Sequence, residues 1–125
     1  MNEYKYLDIS VLKGQRIVKI TKGNNLIRFD TDQHSYIMQH NQDCCESVSI
    51  NKIVGDLQSL VGKKIISASD IVGTEKPAEC ETPEYHDESF TWSTFILKAK
   101  GIEVKIVWYG TSNGYYSETV NIDQV

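Results

Sequence analysis

The stretch "HNQDCCES", His40 to Ser47, gathers a histidine, two adjacent cysteines and two carboxylates. Such residues can bind metal, exchange disulfides, or arm a nucleophile. Metal ligation draws on His40, Asp43, Cys44, Cys45 and Glu46, with Cys80 and His86 elsewhere. Structural zinc sites use spacings such as C-x2-C that let two side chains converge, and no C-x2-C occurs. Adjacent cysteines point to opposite faces of an extended chain, so at most one of the pair ligates easily; His40, Cys44 and Cys45 are weak metal candidates. A Cys44–Cys45 disulfide is disfavoured because ordinary bridges need Cα atoms several ångströms apart with aligned Cβ vectors. As a nucleophile, Cys44 would take His40 or His86 as its base, but Asp43 and Glu46 disfavour a thiolate. The expected role of the cysteines is small core residues at a turn.

The carboxylates give a sharper signal through strand parity. Alternate residues of a strand share a face. In "ESVSINKI" (46–53), Val48 and Ile50 face the core and Glu46 shares their side, as does Cys44. In "ETVNIDQV" (118–125), Val120 and Ile122 face in, and Glu118 and Tyr116 share that parity. A buried carboxylate must be paired or carry a raised pKa. Glu46 and Glu118 are therefore either an acid/base pair or structural groups held by a cation such as Arg16 or Arg28, or by backbone donors, at strand ends. Trp108, Tyr109, Tyr115 and Tyr116 surround Asn113-Gly114, a hairpin turn signal between two β segments. They form either a binding rim or ordinary hairpin packing.

The elements that must position these groups are mostly strands. The pattern predicts strands over 15–21, 26–31, 35–40, 47–53, 64–71, 89–100 and 102–110, with a last one in 117–125. Leu57, Leu60 and Val61 fall at i, i+3 and i+4, which predicts one helix of about two turns, capped by Asp56 and stopped by Gly62. Residues 73–88 hold both prolines and six acidic residues and read as an exposed insertion. The halves also resemble each other: "LKGQRIVKI" (12–20) matches "LVGKKIISA" (60–68), and 46–53 matches 118–125. The expectation is a single α+β domain over 1–125, mainly antiparallel, with one short helix. Its expected repeats are 12–53 and 60–125, each a four-stranded unit about a pseudo-dyad. "HNQDCCE" and "TSNGYYSE" would then be equivalent loops.

With 125 residues, 40% apolar and 24% charged, the chain suits one core and is too apolar for disorder. A net charge of −4 lacks the basic footprint of a phosphate-backbone binder, so direct nucleic-acid binding is not expected. The opening "MNEYKYLDISVLKG" has no basic-then-apolar signal pattern, and no apolar run reaches membrane-span length. The expected location is the cytoplasm, where three cysteines stay reduced.

"HNQDCCESVSI", "GDLQSLVGKKI", "TWSTF" and "WYGTSNGYYSETV" resemble the signature segments of a family of small uncharacterised proteins from bacteriophages and bacteria, over about Gly14 to Ile122. The resemblance implies a phage-type accessory protein acting in the bacterial host cytoplasm.

The leading expectation is a non-enzymatic binding module without a cofactor, meeting a polar small molecule or a host protein at the rim of the two loops. Trp108, Tyr115 and Tyr116 would stack or anchor, and Asn113 would hydrogen-bond. Arg28 or His40 would meet negative charge, with Asp43, Glu46 and Glu118 nearby. The alternatives are a small hydrolase-like enzyme using Glu46 and Glu118 or Cys44, and a metal-stabilised domain. A homodimer closing an exposed sheet edge is compatible with all three.

Overall fold

A computed structural model describes residues 7–83 and 88–125; His86 and the rest of 84–87 lie outside the described residues, as do residues 1–6. The described strands form two four-stranded antiparallel sheets. The first holds β1 (Ile17–Gly23), β2 (Leu26–Thr31), β3 (Ser35–Gln39) and β8 (Asn121–Gln124), in that order. The second runs β4 (Ser47–Val54), β7 (Ile102–Ser112), β6 (Ser89–Ala99), β5 (Ser67–Gly73). Each half of the chain thus makes a three-stranded meander and sends its fourth strand to the other sheet. β4 pairs with β7, and β8 pairs with β3.

This exchange corrects one expectation. Asn113-Gly114 does not close a hairpin, because the strand after it pairs with β3 in the opposite sheet and not with β7. The turn chemistry is present, with Gly114 at φ +91°, but it starts a crossing between sheets. Local turn propensity specifies the bend and leaves the next strand's partner open.

Alternation along the strands sends one face of each sheet into a shared core. Ile20, Ile27, Phe29, Tyr36, Met38 and Ile122 from the first sheet meet Val48, Ala68, Phe95, Leu97, Ile106 and Trp108 from the second. A smaller cluster lies on the opposite face of β6 and β7, where Cys80 from the proline-bearing segment covers Trp92 and Val107. That segment is therefore partly packed down. Lys105 anchors it through Glu79 at 2.9 Å, and Cys80 is buried. Burial pushes the Cys80 thiol pKa up.

No α-helix forms among the described residues. The predicted helix is a single 3-10 turn, Leu57–Leu60. Asp56 caps it as expected, accepting from the Gln58 N–H at 3.1 Å. Leu57 and Leu60 are buried while Val61 is 37% exposed. A three-residue period aligns i with i+3 and leaves i+4 outside, and Gly62 ends the turn before an α-helical bond can continue. A second 3-10 turn, Ile9–Leu12, is capped the same way by Asp8. The sequence reading missed it.

The two turns, "DISVLKG" (8–14) and "DLQSLVG" (56–62), end at Gly14 and Gly62, both at φ +85°. Their following segments exchange matching backbone bonds. Gly14 N–H donates to Ile65 O at 2.8 Å and Gly62 N–H to Ile17 O at 2.7 Å. Ile17 N–H donates to Lys63 O and Ile65 N–H to Gln15 O, both at 2.9 Å. The similar segments 12–20 and 60–68 thus lie side by side, bridged at Arg16 and Lys64.

Candidate functional site

Each connection between the sheets carries a buried carboxylate: Glu46 directly before β4 in the β3–β4 connection, and Glu118 in the β7–β8 connection. Their residues are 4% and 6% exposed, matching the inward placement expected of them. A buried carboxylate without partners costs several kcal/mol, so each must be saturated.

Glu46 is held by its own loop. One carboxylate oxygen accepts from the Cys44 N–H at 2.9 Å and from Gln42 Nε2 at 3.0 Å. The other meets the Asp43 N–H at 3.0 Å and His40 Nε2 at 2.8 Å. Burial pushes its pKa up, but the Cys44 N–H, the His40 ring and the Asp43 N–H outweigh this and bring it down to about 2. The carboxylate is thus an acceptor at neutral pH. His40 Nδ1 lies 2.6 Å from the Thr119 carbonyl, which also only accepts. Both ring nitrogens are thus engaged, one in each connection. His40 joins the two connections: one nitrogen grips Glu46, the other the residue after Glu118.

Glu118 is held by hydroxyls from the neighbouring strands. Thr91 Oγ1 donates at 2.8 Å and Ser89 Oγ at 3.2 Å to one oxygen, and Ser112 Oγ donates to the other. Ser112 Oγ in turn accepts from the Gly114 N–H at 3.0 Å, tying the carboxylate to the turn beyond. The backbone passes so close to β7 that a Cβ on Gly110 would lie 2.5 Å from the Glu118 carbonyl oxygen and 3.1 Å from Val48 Cγ2.

The arginines offered as partners are elsewhere. Arg28 pairs with Asp30 at 3.0 Å on β2, and Arg16 donates to the Gly62 carbonyl at 2.7 Å. Glu46 takes its donors from its own loop and Glu118 from hydroxyls of β6 and β7. Trp108 does not line a rim: it is fully buried, and its Nε1–H donates to Met38 Sδ at 3.3 Å. Tyr109 is half-buried on the outer face, 4.7 Å from the Trp92 ring.

The cysteines also depart from expectation. Cys44 and Cys45 are exposed and joined to each other by a disulfide. The parity argument fails because β4 begins at Ser47. Cys44 and Cys45 lie in a bend, where adjacent side chains need not diverge. No cluster of three metal-ligating side chains occurs among the described residues. His40 is engaged by Glu46 and Thr119.

Beyond the locked carboxylates, Asp43, Cys44, Cys45, Asn113 and Tyr115 are exposed, and Tyr116 is half-buried. Tyr115 is 83% exposed, yet its N–H is fixed to Asn113 Oδ1 at 3.0 Å and its ring meets Tyr116 edge-on at 5.1 Å. Because Ser47 pairs with Thr111, both connections leave the same end of the second sheet and form one tip. Two clefts lie elsewhere. One of about 520 Å³ is lined by Lys22, Asn25 and Lys52; another of about 700 Å³ is lined by Ile71, Trp92, Ile96 and Lys105.

Strand exchange with a carboxylate-pinned crossing at each exchange defines a class: two-sheet antiparallel β domains built from two interlocked halves. The chain belongs to DUF7448, a family of domains of unknown function, which matches residues 10–122. No curated protein and no solved structure matches it. Among the described residues, no helix is long and apolar enough to cross a membrane.

Proposed function

We propose that the protein is a non-catalytic binding module that recognises a protein surface through the tip built by the two inter-sheet connections. The observation that carries this is Tyr115, 83% exposed on a turn whose base is pinned by Glu118 through Ser112. An aromatic anchor on a rigid base enters a partner pocket at little ordering cost. Asp43 and Asn113 supply polar contacts beside it. Glu46 and Glu118 act as locks in this reading: both are buried, and every carboxylate oxygen already accepts at least one hydrogen bond from the protein. A polar small molecule would need a cleft lined by both connections, and the two clefts described lie elsewhere. The resemblance to phage proteins points to a host protein in the bacterial cytoplasm. The matching bonds about Arg16 and Lys64 support reading 12–53 and 60–125 as copies of one unit.

The test is affinity capture from a bacterial lysate with the wild-type chain, Tyr115→Ala, Asn113→Ala and Ile71→Lys. The expected result is a saturable partner kept by Ile71→Lys and lost or sharply reduced with the two tip variants. A partner retained by Tyr115→Ala and Asn113→Ala would overturn the assignment of the surface.

A second reading has its own observation. β5 is an outer strand of its sheet, with Ile71 and Val72 65% and 50% exposed. An open apolar edge pairs readily with another copy. Light scattering should then show a concentration-dependent dimer abolished by Ile71→Lys; a monomer at all concentrations would dismiss it.

A further inference from the structure

The third thiol, Cys80, is buried under the outer face of the second sheet. Cys44 and Cys45 instead stand exposed at the tip, with their sulfurs on the same side of the chain and bonded. Their bend is held from below. Glu46 ties down the N–H groups of Asp43 and Cys44, and Gln42 donates to the carbonyls of Cys44 and Glu46 at 3.2 and 2.7 Å. These bonds involve backbone and carboxylate groups, so they do not depend on the oxidation state of the sulfurs. None of these bonds uses a sulfur atom, so opening the disulfide removes none of their donors or acceptors.

We propose that Cys44 and Cys45 form a reversible vicinal dithiol–disulfide site, and that the reduced pair chelates a single thiophilic centre of the trivalent arsenical class. Closure uses a small-molecule disulfide as oxidant. The thiolate of one cysteine attacks it, forming a mixed disulfide and releasing one thiol. The neighbouring thiolate then displaces the second thiol, so two protein thiols are oxidised and one external disulfide becomes two thiols. Chelation by phenylarsine oxide is not redox chemistry: two S–H bonds are lost, two As–S bonds form, and the arsenic-bound oxygen leaves as water. Pre-convergence of the sulfurs favours both steps, because the second bond forms intramolecularly. Neither step depends on whether the tip binds a partner.

The test uses the full chain as wild type, Cys80→Ser, Cys44→Ser and Cys45→Ser. Treatment with oxidised glutathione and peptide mapping should yield the Cys44–Cys45 linkage in wild type and Cys80→Ser, two hydrogens lighter than the reduced form. The reduced forms of these two proteins should each bind one phenylarsine oxide that survives excess monothiol, and Cys44→Ser and Cys45→Ser should lose it. Mapping needs no variant at the pair itself, so misfolding cannot hide the result. Stable glutathione adducts on Cys44 or Cys45 without closure, or arsenical retention by either single variant, would overturn the proposal.

Discussion

Glu46 and Glu118 are buried carboxylates, one in each crossing, and the fold satisfies them by opposite means. Glu46 draws its donors from residues 40–44 of its own loop, including a histidine and two backbone N–H groups. Glu118 draws on hydroxyls of β6 and β7 that are neutral and can rotate to other acceptors. The first arrangement is local and charge-dependent; the second is long-range and adaptable. A strand exchanged between sheets must be pinned where it crosses, and the pinning chemistry is free to differ as long as every buried oxygen is filled.

The largest effect should come from a change that disturbs the place where both crossings meet. Gly110→Val puts side-chain atoms against the Glu118 backbone and Val48 at once. Overpacking of this kind costs about 3 kcal/mol, and urea unfolding should show the midpoint fall accordingly, with looser packing at both loops in hydrogen exchange. Comparing Glu46→Ala with Glu118→Ala is the next test. Removing Glu46 strands two backbone N–H groups and the His40 ring together, whereas removing Glu118 frees hydroxyls that can turn elsewhere. Glu118→Ala should cost about 1–2 kcal/mol, and Glu46→Ala should cost more in the same denaturation series. Equal losses would erase the distinction between the locks.

Acid should expose the Glu46 lock directly. The pKa of Glu46 falls from 4.5 to about 2 on folding. Its contribution is therefore full above about pH 4.5 and is lost progressively as pH drops through about 2. The stability loss of wild type across this window, followed by denaturation against pH, should shrink in Glu46→Gln. The smallest effect belongs to Tyr115→Ala. An exposed side chain should alter stability by no more than about 0.5 kcal/mol while removing partner capture.

Much of this comparison was legible in the residues. The inward placement of Glu46 and Glu118 agrees with the alternation read from Val48 and Ile122, although both carboxylates lie ahead of their strands and are held by hydrogen bonds. The strands were equally legible from β-branched runs between turn signals. What failed depended on information that does not sit in a local window. The partner of the last strand is a matter of topology, so Asn113-Gly114 read as a hairpin. The Leu57–Leu60 turn carries the same i, i+3 signature as an α-helix, and only Val61's exposure separates them. Of the expected partners for the carboxylates, backbone donors serve Glu46 and the arginines do not, while Gln42 and His40, within six residues of Glu46, complete its set of donors. Cys44 and Cys45 were assigned strand geometry although they precede the strand, and this hid their convergence.

The most direct measurement is a carboxyl-carbon NMR titration of Glu46 in the wild-type chain. The lock predicts a midpoint of about 2, well below the ordinary 4.5. A midpoint at or above 4.5 would show that the folded loop does not favour the charged carboxylate, and would contradict the assignment of Glu46 as an anion locked by its donors.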